Sequence, residues 1–259
     1  LFIYYRRCCP LVANGGCRGW RCRFFICLEI HLFELVKDTA WRFRLAHLVV
    51  RYIFEDDEVL AGIVALGIDW HFWLCRLACK HFLAKVIGIN TISSTDISIY
   101  DPACGSGSLL IRAANEAPLE VAIYGQEKDH STAGLATMNL ILHQKGNGQI
   151  LKGNTLVNPQ FKDDFGQLRK FDIVVMNPPF SDKSWSDGLK ASTDKYKRFE
   201  GFGIPPEKNG DYAWFLHVLK SLNSTGKAGI VMPHGVLFRG NAEETIRIQL
   251  LNPHYIKGI

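Results

Sequence analysis

From about Ile97 onward, short apolar runs alternate with stretches whose apolar residues recur at helical spacing. Ile97–Tyr100 reads as a strand, Ser108–Glu116 as a helix and Val121–Tyr124 as a second strand. Ser131–His143 carries Leu135, Met138 and Leu142 at helical spacing and predicts another helix. Gln149–Lys152 predicts a short strand and Phe171–Met176 a strong one. A long polar stretch, Ser181–Lys208, precedes a helix at Tyr212–Leu222 and a strand at Gly229–Met232. Strands alternating with helices predict an α/β fold: right-handed crossovers and a mostly parallel sheet covered on both faces. No internal repeat or low-complexity tract interrupts the pattern.

Upstream the pattern breaks. Up to residue 96 the chain has nine Arg and three Lys; beyond it there are five Arg and thirteen Lys. Cys8, Cys9, Cys17, Cys22, Cys27, Cys75 and Cys79 all lie in this leader, with Cys104 alone after it, and four of the six tryptophans are there too. One reading is a separate N-terminal domain. A second is a non-native stretch, from a frameshift or a misplaced start, joined to a catalytic domain at 97–259. A third is a membrane or metal-binding segment. The metal reading lacks a second paired knuckle at zinc spacing, so no metal site is assigned. In the membrane reading, Val59–Ile68 is interrupted by Asp69 and His71, whereas a spanning helix needs about 18 or more apolar residues. Nothing indicates export, so the cysteines read as reduced thiols of a cytoplasmic protein. A start at Leu1 and a stop at Ile259 read as those of a fragment.

Composition adds bounds. With 47% hydrophobic and 21% charged residues over 259, the chain can bury a sizeable core, which excludes a disordered tail, a collagen-like fibre and a small disulfide scaffold. The net charge of +5 permits a nucleic-acid partner without requiring one.

Asp101-Pro-Ala-Cys-Gly-Ser-Gly107 sits where the first of these strands feeds the first helix. Gly105 and Gly107 allow backbone conformations, and a close ligand approach, that a Cβ would block. The helix opening at Ser108 turns its free N–H groups to the same place. The turn departs from a dinucleotide fingerprint, because Leu110 stands at the third glycine position. By itself it could be merely a tight turn. Glu127, just past the second strand, adds an acceptor for ribose hydroxyls, and together they indicate an adenosine-containing cofactor.

Phe171–Met176 delivers Asn177 at its carboxyl end, where open α/β sheets bind ligands. Pro178 and Pro179 then fix φ and remove two backbone donors. The corner presents acceptors, the Asn177 amide oxygen and the Pro178 carbonyl, beside the flat face of Phe180. That is a seat for a planar ring bearing an NH2 group. The plainer alternative is a proline turn ending a strand, with Phe180 in the core.

These two motifs resemble the cofactor and catalytic motifs of amino-group DNA methyltransferases. More closely, the chain resembles the modification (M) subunit of type I restriction-modification systems, which are N6-adenine methyltransferases. The likeness runs through Gly125-Gln-Glu127, Met138-Asn-Leu140, Gly153-Asn-Thr-Leu156, Asn209–Phe215 and Gly229–Phe238, covering roughly residues 97–252. It implies a Rossmann-like S-adenosylmethionine-dependent fold. It also implies that Asp101, Gly105 and Gly107 line the S-adenosylmethionine site, that Glu127 binds the ribose and that Asn154 lies near the cofactor adenine. Asn177, Pro178 and Phe180 would hold a flipped adenine. The family's upstream Phe-Tyr-Thr-Pro element has no counterpart in residues 1–96.

The resemblance further implies double-stranded DNA, a specificity (S) subunit, a second copy of the M subunit and, in some systems, a restriction (R) subunit as partners, with no membrane. Ser181–Lys208 is expected to be a mobile loop closing over the site, with Lys195, Lys197 and Arg198 in reach of phosphate. Two other readings stay open: an inactive remnant or assembly scaffold, and a protein-glutamine methyltransferase.

Overall fold

A computed structural model describes residues 2–6, 87–91, 94 and 96–259. They belong to one compact unit, Leu1–Cys9 with Cys79–Ile259; a second unit, Pro10–Ala78, lies outside the described residues. The leader's seven cysteines and the apolar run at Val59–Ile68 lie outside them as well.

In chain order the elements are β1 (Phe2–Arg6), β2 (Ser98–Asp101), α1 (Ser108–Glu116), β3 (Ala122–Glu127), α2 (His130–Leu142), β4 (Gln149–Lys152), β5 (Phe171–Met176), α3 (Asp211–Ser221), β6 (Leu222–Val231), α4 (Ala242–Leu251) and β7 (Ile256–Gly258). The seven strands form one sheet in the order β4-β3-β2-β5-β6-β1-β7. Strands β4, β3, β2, β5 and β6 are mutually parallel. β1 runs antiparallel between β6 and β7. The sheet is therefore mostly parallel, as the alternation predicts, and it takes one strand from the residues whose composition sets them apart.

The central strands are apolar on both sides because both sides are covered. Along β2 and β5, Ile99, Ile173 and Val175 point to one core with Leu109, Leu110 and Ile111 of α1 and with Ala136 and Leu140 of α2. Tyr100, Val174 and Met176 point to the other, with Phe215 and Val218 of α3, Ile246 and Leu250 of α4, and Trp185 and Phe199. The period of two along each strand sorts the residues between the faces. Tyr100 stacks on Phe171 with ring centroids 4.3 Å apart.

Helix α2 forms where its spacing predicts, but it turns a different face inward. Ala133, Ala136 and Leu140 are buried, whereas Leu135, Met138 and Leu142 are 51%, 52% and 73% exposed. The inner face carries a small residue at Ala136 because α2 lies close against the glycine turn there. A Cβ on Gly107 would stand 3.5 Å from the Ala136 Cβ.

The polar stretch 181–208 departs from expectation more strongly. Arg198 is 1% exposed, so it cannot reach phosphate. Its Nε and Nη2 donate to the two oxygens of Asp194 at 2.9 and 2.7 Å, and Nη2 also donates to the Leu156 carbonyl at 2.7 Å. Nη1 lies 3.4 Å from Nδ1 of buried His217. That contact suits an unprotonated nitrogen, and burial, with the Arg198 and Lys170 charges, holds the ring well below its ordinary pKa. Trp185 packs edge-on against Phe199 and donates its indole N–H to the Pro206 carbonyl at 2.9 Å. A charged pair and two aromatic rings thus anchor the middle of this segment, while Lys195 and Lys197 stay exposed.

Candidate cofactor and target-base site

The order of the strands locates the site. From β2 the chain builds outward through β3 and β4, then crosses back to place β5 on the other side of β2. The direction of winding therefore reverses between β2 and β5, and ligands of open α/β sheets bind in the crevice outside the carboxyl ends at such a switch point. Ile99 and Tyr100 pair with Ile173 and Val174. The turn after Asp101 and the corner at Asn177 consequently leave the same edge of neighbouring strands, about 4.8 Å apart in the hydrogen-bonding direction.

On the β2 side, buried Asp101 shapes the turn by accepting the Ala103 N–H at 2.9 Å. Gly105 and Gly107 have φ of 54° and 75°, left-handed values that a side chain disfavours. The two differ in what surrounds them. A Cβ on Gly105 would meet nothing within 4 Å, so that glycine opens onto free space. Gly107 serves as the N-cap of α1 and packs on α2. Cys104, between them and Asp101, is buried. Burial, then the nearby Asp101 and Glu127 carboxylates, push its thiol pKa far up, so it stays protonated and is not a nucleophile.

Glu127 ends β3 beside this turn. One of its oxygens accepts the Gly105 N–H at 2.9 Å and the other the Asp129 N–H at 3.0 Å. Asn154 follows β4, and its Oδ1 accepts the Leu156 N–H at 3.1 Å. On the β5 side Pro178 is buried, Asn177 is exposed and Phe180 is 51% exposed. Phe180 is therefore not a core residue, contrary to that part of the plainer reading of the corner.

Sequence reading missed the residues that hold these parts together. Buried Gln126 donates to the Gly153 and Asn158 carbonyls and accepts the Gln160 N–H, pinning the loop after β4. Thr155 donates to the Pro102 carbonyl at 2.6 Å, tying that loop to the glycine turn. A polar residue inside a strand otherwise facing the core was the available signal for Gln126; nothing local marks Thr155. Among the described residues no cluster of His, Cys, Asp and Glu could hold a metal, and no helix is long and apolar enough to cross a membrane.

A model of the N-6 DNA methylase family matches residues 79–259. The chain belongs to the N-6 DNA methylase family. The match includes both sides of the switch point. Among relatives of this chain, the type I restriction enzyme MjaVIII methylase subunit of Methanocaldococcus jannaschii is 35% identical over 185 residues, covering 68% of this chain and 32% of that protein. The MpnII methylase subunit of Mycoplasma pneumoniae is 35% identical over 171 residues, covering 62% and 31%. In three dimensions, the type I restriction-modification methyltransferase subunit of Streptococcus thermophilus superposes with a TM-score of 0.57 at 37% identity, covering 67% of this chain and 37% of that one. The chain thus spans about a third of the length of the curated relatives it matches. These comparisons bear out the family and the Rossmann-like methyltransferase fold that the two motifs imply.

Proposed function

We propose that this N-6 DNA methylase chain transfers a methyl group from S-adenosylmethionine to N6 of adenine in double-stranded DNA, as the catalytic part of a type I modification subunit. One observation carries the reading: a glycine turn with a carboxylate and an acceptor corner with an exposed aromatic ring flank the same switch point. The residues suit the cofactor. Gly105 faces open space, Glu127 keeps lone pairs beyond the two N–H groups it accepts, and α1 opens toward the same place. In this reading Asp101, Gly105 and Gly107 form the cradle, Glu127 takes the ribose hydroxyls and Asn154 lies by the adenine ring. When bound, S-adenosylmethionine supplies the electrophilic methyl group.

The chain's own part is to make the amino nitrogen a better nucleophile. The lone pair of N6 is delocalised into the purine ring. Acceptors on its N–H bonds, the Asn177 amide oxygen and the Pro178 carbonyl, return density to nitrogen, and fixed positioning supplies much of the rest. A base stacked in a duplex cannot reach these atoms and must be flipped out, with Phe180 as its plate. The specificity subunit that selects the DNA target, a second modification subunit and a restriction subunit are the partners this reading brings; the composition break supports 97–259 as the body of its catalytic domain, to whose sheet residues 2–6 add a strand.

The test is radiolabelled methyl transfer to adenine in duplex DNA by the full chain with a specificity subunit. Labelling of another base, or of protein glutamine, would overturn the assignment. Calorimetry with S-adenosylmethionine tests the cofactor site directly. Binding should be present and should weaken about tenfold or more in Glu127→Ala, which removes charge-assisted hydrogen bonds. Gly105→Ala should weaken it too, by placing a Cβ in the open space. Undiminished binding in both variants would move the cofactor site elsewhere.

A further inference from the structure

Half of Phe180's surface is open, so packing alone does not fix where its ring points. The backbone must. Pro178 and Pro179 set two φ angles before Phe180, and Ser181, the residue after it, has a φ of 52°. That left-handed value is uncommon for a residue with a side chain and persists only where the surroundings enforce it. The enforcing contact is a hydrogen bond of 2.8 Å from the Ser181 N–H to Oδ1 of Asp211.

Asp211 opens α3 and is fully buried. Its Oδ2 accepts from Nη2 of Arg239 at 2.8 Å, while Nη1 of the same guanidinium reaches Oε1 of Glu243 at 2.9 Å. Glu243 is itself 1% exposed, in the first turn of α4. Arg239 follows β6, the parallel neighbour of β5. Three separate segments therefore converge behind the acceptor corner, and an arginine fork locks the carboxylate that grips it.

We propose that Asp211, clamped by Arg239 and Glu243, is the positioning residue of the target-base corner: it holds Ser181 in the left-handed turn that aims Phe180. The proposal rests on the methyl-transfer reading above. Asp211 touches neither base nor cofactor and acts through the Ser181 backbone.

Asp211→Asn is the primary test, in the full chain. An amide offers one oxygen where the carboxylate offers two, so its NH2 must face either the guanidinium or the Ser181 N–H. Hydrogen exchange at the Ser181 amide, followed by NMR, should accelerate about tenfold or more, as expected for losing a charge-assisted bond. Methyl transfer should fall by about 10- to 100-fold, the scale of a small misplacement at a reacting centre, while S-adenosylmethionine affinity stays at the wild-type value. Adding Ser181→Gly should recover part of the transfer, because glycine adopts the turn unaided. Loss of a merely structural contact would not be rescued in this way.

Arg239→Lys, at a partly exposed position, should act in the same direction and carries the test if Asp211→Asn does not fold. Unchanged Ser181 exchange in a folded variant, or lost transfer that Ser181→Gly does not recover, would overturn the clamp. If the wild-type chain methylates no adenine, the function reading fails instead; the exchange measurement still decides the clamp, since it needs no substrate.

Discussion

Replacing Asn177 with alanine should lower methyl transfer to adenine by about 100-fold or more, the scale for removing one preorganised polar group aimed at a reacting centre. The amide oxygen acts on the attacking nitrogen itself, whereas the glycine turn and Glu127 belong to the neighbouring strand ends. Cofactor affinity should therefore stay nearly intact. Phe180→Ala should act differently, weakening capture of the flipped base by about 1–3 kcal/mol, the value of a lost stacking face. Phe180→Trp keeps a flat plate and should retain much of the activity. Transfer kinetics run beside cofactor titration separate these effects. A wild-type rate in Asn177→Ala would reduce the corner to a strand-ending turn.

The second large effect concerns stability. Arg198→Met should destabilise the fold by about 3–5 kcal/mol, because it leaves the Asp194 carboxylate without its buried partner. Both side chains are almost wholly buried, at 0% and 3% exposure, so the modest values of surface ion pairs do not apply. Denaturant unfolding of the two chains measures the difference, and a change below about 1 kcal/mol would place the pair in the surface class. Acid should act on the same contact. Burial raises the Asp194 pKa, but hydrogen bonds from the Arg198 side chain and backbone N–H, with its charge, outweigh it and hold the carboxyl below the usual range. The stabilisation is then complete above the ordinary aspartate pKa and is lost only as pH falls through the lowered value. Arg198→Met should lack that part of the acid sensitivity.

Much of the fold was legible because its signals are local. The limits of α1, β4 and β5 fall where periodicity puts them, and Gly105, Glu127 and Asn177 were visible because strand ends and turns impose their own chemistry. What periodicity could not show was which stripe of α2 faces inward. Leu135, Met138 and Leu142 are the larger stripe, yet Ala133, Ala136 and Leu140 face inward, with Ala136 against Gly107. Strand β6 begins at Leu222, seven residues before the expected Gly229, because polar Asn223, Ser224 and Thr225 conceal its first half. Helix α4 and strand β7 were not read at all. Arg198 and Asp194 illustrate the remaining gap: charges in a polar stretch look solvated in sequence, and only the fold reveals a buried pair.

The hydrogen bond from Gly105 to Glu127 has an entropic consequence. A glutamate has three rotatable side-chain bonds, and immobilising such a side chain at the moment of association costs about 0.5–1.5 kcal/mol. Here the carboxylate is already tied to two backbone N–H groups, Gly105 and Asp129, so that ordering occurs when the chain folds. A ligand hydroxyl arriving at this carboxylate meets an acceptor whose direction is set in advance. The same tie links two properties that are separable at a freely rotating residue: whatever loosens the turn at Gly105 also disorders the acceptor, so the stability of the turn and the affinity for a hydroxyl-bearing ligand should change together at position 127.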